Sequence, residues 1–294
     1  MGFKGIYENK SLSSKVGILL LLIFVSVILH NLIALAVVSI FSANGIEIIK
    51  NQDLSSQEAV NYLKVMQLFS GIGFFIIPTL FYSYLTNFDF KFTNINRQNT
   101  ILVIAIMILV TPFIALLLEW NMMINLPKWL LQFDVNSEAI VTAFLKMDTI
   151  WDLFFTILVL AVVPAFGEEL LFRGYLQQKI ARFFGSQHTS ILITSFLFSA
   201  IHFHFQGMIP RFVLGILLGY LFYWSRSLWL PILAHFVNNA QAVLFSYSSY
   251  KIESVPYLVS QENSIDPKMG LFSFFAVSLL LYLFYQNTSI KKDL

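Results

Sequence analysis

The stretch Glu168-Glu169-Leu170-Leu171-Phe172-Arg173 sets two adjacent carboxylates and a guanidinium inside an otherwise apolar run. Two more polar interruptions follow, Phe198-Ser199-Ala200-Ile201-His202 and His235-Phe236-Val237-Asn238-Asn239. A charge at the centre of a bilayer costs about 2.5–3.5 kcal/mol on insertion scales, so such residues pair or face a wet cavity. On a helix Glu169 and Arg173 are four apart and share a face, where a salt bridge forms naturally. Glu168 is rotated by about 100° from that pair and has no local partner. A carboxylate of this kind suits general-base work near neutral pH. His235 and Asn239 project together, whereas Asn238 points elsewhere. His202 and His204 lie about 200° apart on a helix, which sends His204 towards the interface. Each group also has a bland reading: Glu169–Arg173 as a pair locking two helices, the histidines and Asn239 as interhelical hydrogen bonds.

The elements that carry these residues are hydrophobic helices. Of the 294 residues 57% are hydrophobic and 12% charged, with a mean hydropathy of +0.75, against about 25% charged in soluble domains. Bilayer solvation explains that shortfall, and a net charge of +2 gives no reason to invoke nucleic acid. There are no cysteines, which removes thiol catalysis, thiolate metal sites and disulfides. The first apolar run, 16–41, is too long for a signal peptide core of about 7–15 residues. The pattern predicts an all-α, polytopic membrane protein with helices near 16–41, 60–85, 100–118, 150–172, 189–205, 210–225, 228–248 and 269–286. About 20 residues span a bilayer, so the sixth is short and is either tilted or re-entrant, giving eight or seven spans. Polar stretches at 42–59, 119–149 and 249–268 separate the helices. Three parts result: residues 1–149 with three membrane helices and an outer loop, 150–248 as the catalytic core, and 249–294 with a loop and the last helix.

A tight turn near Gly185 would join the fourth and fifth helices. Glu168 precedes it and His202 follows it by the same 17 residues, so both stand about 25 Å from the tip at 1.5 Å per residue. Lys10, Lys15, Lys91, Lys179, Arg182 and Arg226 fall on one side of the predicted spans, while Glu47, Asp53, Glu58, Asp134, Glu138 and Asp148 fall on the other. The Lys/Arg bias places both termini in the cytoplasm.

The three polar elements resemble the CPBP family, also called Abi or CAAX prenyl protease-like intramembrane proteases. Its motifs stand here as Glu168-Glu169-x-x-x-Arg173, Phe198-x-x-x-His202 and His235-x-x-x-Asn239, in the family's order, over roughly residues 150–245. The resemblance implies an eight-helix fold, an intramembrane cavity opening to the cytosol, and hydrolysis of peptide bonds in membrane-associated or CAAX-like substrates. It further implies that Glu168 activates water, His202 helps hold that water, His235 and Asn239 stabilise the oxyanion, and Glu169 and Arg173 orient Glu168. Zinc at His202 and His235 stays open, with Glu168 as a third ligand that would then lose its role as free base. A His-Glu-x-x-His helix is absent, and metal-independent catalysis is the favoured reading. Two other classes remain: a non-enzymatic membrane immunity or scaffold protein derived from the family, and a proton-coupled transporter using Glu168 and Glu169 as a relay. The transporter reading lacks the repeated halves and paired broken helices common in that class.

Overall fold

A computed structural model describes residues 3–251 and 265–288. The architecture is all-helical. In chain order the helices are α1 (Leu12–Phe41), α2 (Gly45–Asn51), α3 (Gln57–Thr86), α4 (Arg97–Met122), α5 (Lys128–Phe144), α6 (Ile150–Phe184), α7 (Gln187–Ala200), α8 (Phe205–Ser225), α9 (Trp229–Lys251) and α10 (Pro267–Gln286). Among the described residues six of them, α1, α3, α4, α6, α8 and α10, are long and apolar enough to cross a membrane.

Each of the eight expected apolar segments is a helix, but their lengths differ from expectation. The short one is α7, with 14 residues, while α8 reaches 21 when its opening 3₁₀ turn Phe205–Gly207 is included. The α9 helix runs for 23 residues but carries His235, Asn238, Asn239 and Gln241 along its length. The fourth helix continues to Phe184, well past the expected 172, because nothing breaks it before Gly185. That glycine adopts φ +65°, a conformation costly for other residues. Ser186 then accepts from Thr189 N and starts α7, closing the expected hairpin. The polar stretches hold structure of their own: α2 lies in 42–59, and α5 occupies most of 119–149. Most of 249–268 lies outside the described residues.

Two prolines shape the long helices. Pro78 and Pro164 each follow a π-helical turn, Ile72–Ile76 in α3 and Leu158–Val162 in α6. A proline donates no backbone hydrogen bond and crowds the carbonyl four residues earlier, and a widened turn is one way to absorb that defect. A third π-helical segment, Leu170–Gln177, follows the paired glutamates directly.

Burial separates a lipid-facing shell from a packed centre. Along α1 the side chains of Leu20, Phe24, Leu32 and Ile40 are exposed, an arrangement that water would penalise and hydrocarbon solvates. The centre packs Val103, Ile106 and Met107 of α4 against Leu214, Leu218 and Leu221 of α8 and Ala234 of α9. A second cluster joins α1, α3, α6 and α8 through Leu19, Tyr82, Leu170, Leu171, Tyr175 and Phe222.

The ends of the helices are tied in two groups. At one end Tyr7 N donates to Leu85 O, Leu228 N to Lys91 O, and Gln178 Nε2 to Asp89 O. At the other, Asn121 and Asp134 bind the backbone of residues 205–209, and Ser246 binds Leu145 O. The Gly185 turn thus belongs to the first end and the turn after Ala200 to the second.

Candidate active site

The site is built outward from Glu169, which is fully buried in the middle of α6. Its Oε1 accepts from Arg173 Nη1 at 2.7 Å and from His235 Nδ1 at 2.9 Å. Arg173, also fully buried, sends Nη2 to Gly215 O of α8 at 3.0 Å and stacks its guanidinium over the Phe198 ring of α7 at 4.5 Å. One carboxylate and one guanidinium therefore join α6, α7, α8 and α9. Gly215 allows this approach: a Cβ there would lie 2.9 Å from Ser195 Cβ. One turn along, Gln177 Nε2 repeats the bond to Gly219 O at 3.0 Å.

Glu168 stands apart from this network. Its side chain is 11% exposed, and the nearest imidazole nitrogen, His202 Nε2, is 3.8 Å from Oε2. That separation is too long for a hydrogen bond, and Oε2 has no other hydrogen-bond partner. His202 Nδ1 lies 2.7 Å from Phe198 O. A carbonyl can only accept, so Nδ1 carries the proton and Nε2 is a bare acceptor turned to Glu168. The same logic places a proton on His235 Nδ1, because a carboxylate paired with arginine accepts.

Several expectations change here. Glu169 and Arg173 orient His235 rather than Glu168, since the hydrogen bonds run to His235 Nδ1 and Gly215 O. His202 lies beyond the end of α7, and Phe203 has φ +49°, so the helical phase assigned to His202 and His204 does not apply. His204 is extended and half-buried, and its carbonyl and Nδ1 accept from Arg211 Nη1 and Nη2 at 3.2 and 3.3 Å.

Asn239 has a physical task that sequence spacing does not reveal. Its Nδ2 donates to Leu160 O at 2.9 Å. Leu160 is four residues before Pro164, so its carbonyl is the one a proline leaves without a helical donor. Asn238, expected to point elsewhere, donates to Asn239 Oδ1 at 3.0 Å and fixes that amide. One Nδ2 proton of Asn239 remains for other work.

The donor set does not make a complete zinc site. Zinc takes three protein ligands and a water in catalytic centres, and among the described residues no group of three His, Cys, Asp or Glu side chains is placed to hold a metal ion. The orientation of both imidazoles through Nδ1 is nonetheless the kind that metal-ligating histidines show. No chemical step below depends on a metal.

Three polar residues around the site escaped the sequence reading: Arg211, Asn121 and Asp134. Arg211 had a usable signal, a charge inside the apolar run 205–225. Asp134 had none, because an acid in a loop-like stretch is ordinarily solvated.

Residues 150–241 match the model of a family described as Type II CAAX prenyl endopeptidase Rce1-like, and the family resemblance of the three motifs is borne out over that stretch. A relative, the uncharacterized protein YpbD of Bacillus subtilis (strain 168), is 33% identical over 88 residues, which is 29% of this chain and 42% of that protein. The chain thus spans less than half the length of the curated relative it matches. No solved structure matches the chain.

The two glutamates should behave oppositely in stability. Glu169→Gln or Arg173→Lys breaks a buried ionic network and is expected to cost about 3–5 kcal/mol, the range for a broken buried pair. Glu168→Gln removes no hydrogen bond and should leave stability within about 0.5 kcal/mol, as for changes away from such networks. Thermal unfolding of the purified variants in detergent measures both, and equal losses at positions 168 and 169 would contradict the assignment.

Proposed function

With residues 150–241 matched to a Rce1-like endopeptidase family, we propose that the chain is an intramembrane endopeptidase cleaving peptide bonds of membrane-associated substrates. The observation that carries this reading is the Glu168 carboxylate, nearly buried, without a hydrogen bond, and 3.8 Å from the bare Nε2 of His202. A water molecule bound between these two acceptors would direct one proton to each, leaving an oxygen lone pair for attack on a scissile carbonyl. Glu168 takes the proton as the C–O bond forms and returns it to the leaving amine as the C–N bond breaks. The oxyanion of the tetrahedral intermediate is stabilised by the free Nδ2 proton of Asn239 and by Nε2–H of an imidazolium His235, both pre-aligned. His235 is held for this by Glu169, and Glu169 by Arg173. The catalytic core is residues 150–248, with α1–α4 as its lipid-facing support.

Loss of the base should remove catalysis while sparing the fold. Comparing new peptide N-termini in membranes containing the wild type or Glu168→Gln, we expect cleavage to fall by about 10²–10⁴-fold, the usual contribution of a general base, at unchanged abundance. Products formed by Glu168→Gln at the wild-type rate would contradict the mechanism and favour a non-enzymatic membrane protein.

We also propose that both termini are cytoplasmic, supported by Lys10, Lys15, Lys91, Lys179, Arg182 and Arg226 at one end of the bundle. On that orientation α5 and the His202 turn face the outer side, while His235 sits two turns from the cytoplasmic end of α9. The chain lacks cysteine, so single introduced cysteines report accessibility cleanly. A membrane-impermeant maleimide should label Gln132→Cys in intact cells and Lys91→Cys only after permeabilisation. The reverse pattern would invert the topology.

A further inference from the structure

The turn that carries His202 is not held by the catalytic helices alone. Asp134, in the middle of α5, is 1% exposed although α5 is otherwise a surface helix with Trp129, Phe133 and Val135 exposed. Its two carboxylate oxygens accept from consecutive backbone amides, Oδ1 from Phe205 N at 2.7 Å and Oδ2 from Gln206 N at 2.9 Å. Asn121, at the end of α4, clamps the same segment from both sides: Nδ2 donates to Phe205 O at 3.0 Å and Oδ1 accepts from Ile209 N at 2.7 Å. Ser199 Oγ donates to Met208 O at 2.7 Å, and Arg211 reaches back to His204. The Phe133 ring lies 6.1 Å from that of Phe203 and 6.5 Å from that of Phe205.

The α5 helix is itself anchored at its far end. Phe144 O, on its last residue, accepts from Thr156 Oγ1 at 3.3 Å, and Thr156 Oγ1 accepts from the buried Lys64 Nζ at 2.8 Å. A buried ammonium at a helix C-terminus complements the negative end of the dipole. Leu145 O takes a further bond from Ser246 Oγ of α9 at 3.4 Å. The α5 helix therefore runs as a strap from α3, α6 and α9 to the His202 turn.

We propose that α5 is the positioning element of the site, with Asp134 and Asn121 as positioning residues that hold His202 Nε2 opposite Glu168. Residues 201–204 make no regular helix and contain a positive-φ phenylalanine, so the helix ladder cannot fix His202. The spent carboxylate of Asp134 supplies the missing constraint. The proposal rests on the reading of Glu168 and His202 as the water-activating pair, and it assigns residues 119–149 a part in the chemistry without contact to substrate.

The test separates positioning from folding and from the protease reading itself. Asp134→Asn keeps one acceptor and places an amide donor against the second backbone amide. In the wild-type background kcat should fall about 10- to 100-fold, the scale of a misplacement near 1 Å, with KM within about twofold. In a His202→Ala background the same change should cost nothing further, because its effect passes through His202. Asn121→Asp, which keeps the acceptor for Ile209 N and loses the donor to Phe205 O, should give the same signature more weakly. A readout independent of catalysis is a spin label on Ile201→Cys in the cysteine-free chain, whose mobility should rise in Asp134→Asn. An equal loss of kcat with and without His202, or an unchanged label mobility, would overturn the proposal. If the wild type cleaves nothing, the protease reading fails and the label mobility alone decides whether Asp134 holds the turn.

Discussion

Glu169 is an ionised carboxylate in the middle of an apolar bundle, and the arrangement of the surrounding helices follows from keeping it paired. Desolvating such a group is tolerable only where its partner is close and the partner's other donors are also satisfied. Arg173 meets the first demand at 2.7 Å and, through Gly215 O, part of the second. His235 supplies the other donor. The network spans α6, α8 and α9, and the stacking of Arg173 on Phe198 brings in α7. Four helices are thus brought into register around one anion. Glu168, one residue earlier on α6, is left outside the network and faces His202.

A second constraint comes from proline. Pro164 releases the Leu160 carbonyl, and the membrane offers no water to satisfy it. Asn239 does so from α9, so the residue that closes the third motif also repairs the helix that carries the first. The π turn at Leu158–Val162 belongs to the same adjustment. Reactive residues and backbone defects occupy the same few positions because both require polar groups that lipid cannot provide.

Much of this was legible from residue types alone. The helices, the Glu169–Arg173 pair and the hairpin about Gly185 follow from local rules: apolar run length, i,i+4 spacing, and a glycine where a helix stops. The equal spacing of Glu168 and His202 from Gly185 anticipated their proximity. The partner of His235 was not legible, since Glu169 and His235 are 66 positions apart and spacing along one helix says nothing of a neighbour. The end of α7 at Ala200 was hidden for a related reason: Ile201–Phe205 is as apolar as the helix before it, and only tertiary bonds from Asn121, Asp134 and Arg211 pull it out of helical form. Asp134 could not be distinguished from a solvated acid until its burial was known.

The central claim is that Phe198 O and Glu169 fix the two histidines through Nδ1, so that both present Nε2 to the reaction. Nitrogen-15 NMR of histidine-labelled protein in bilayers reads this directly, with His202→Ala and His235→Ala used for assignment. The account predicts a protonated Nδ1 at both His202 and His235, with Nε2 of His202 unprotonated at neutral pH. An Nε2–H tautomer with bare Nδ1 at either residue would contradict it.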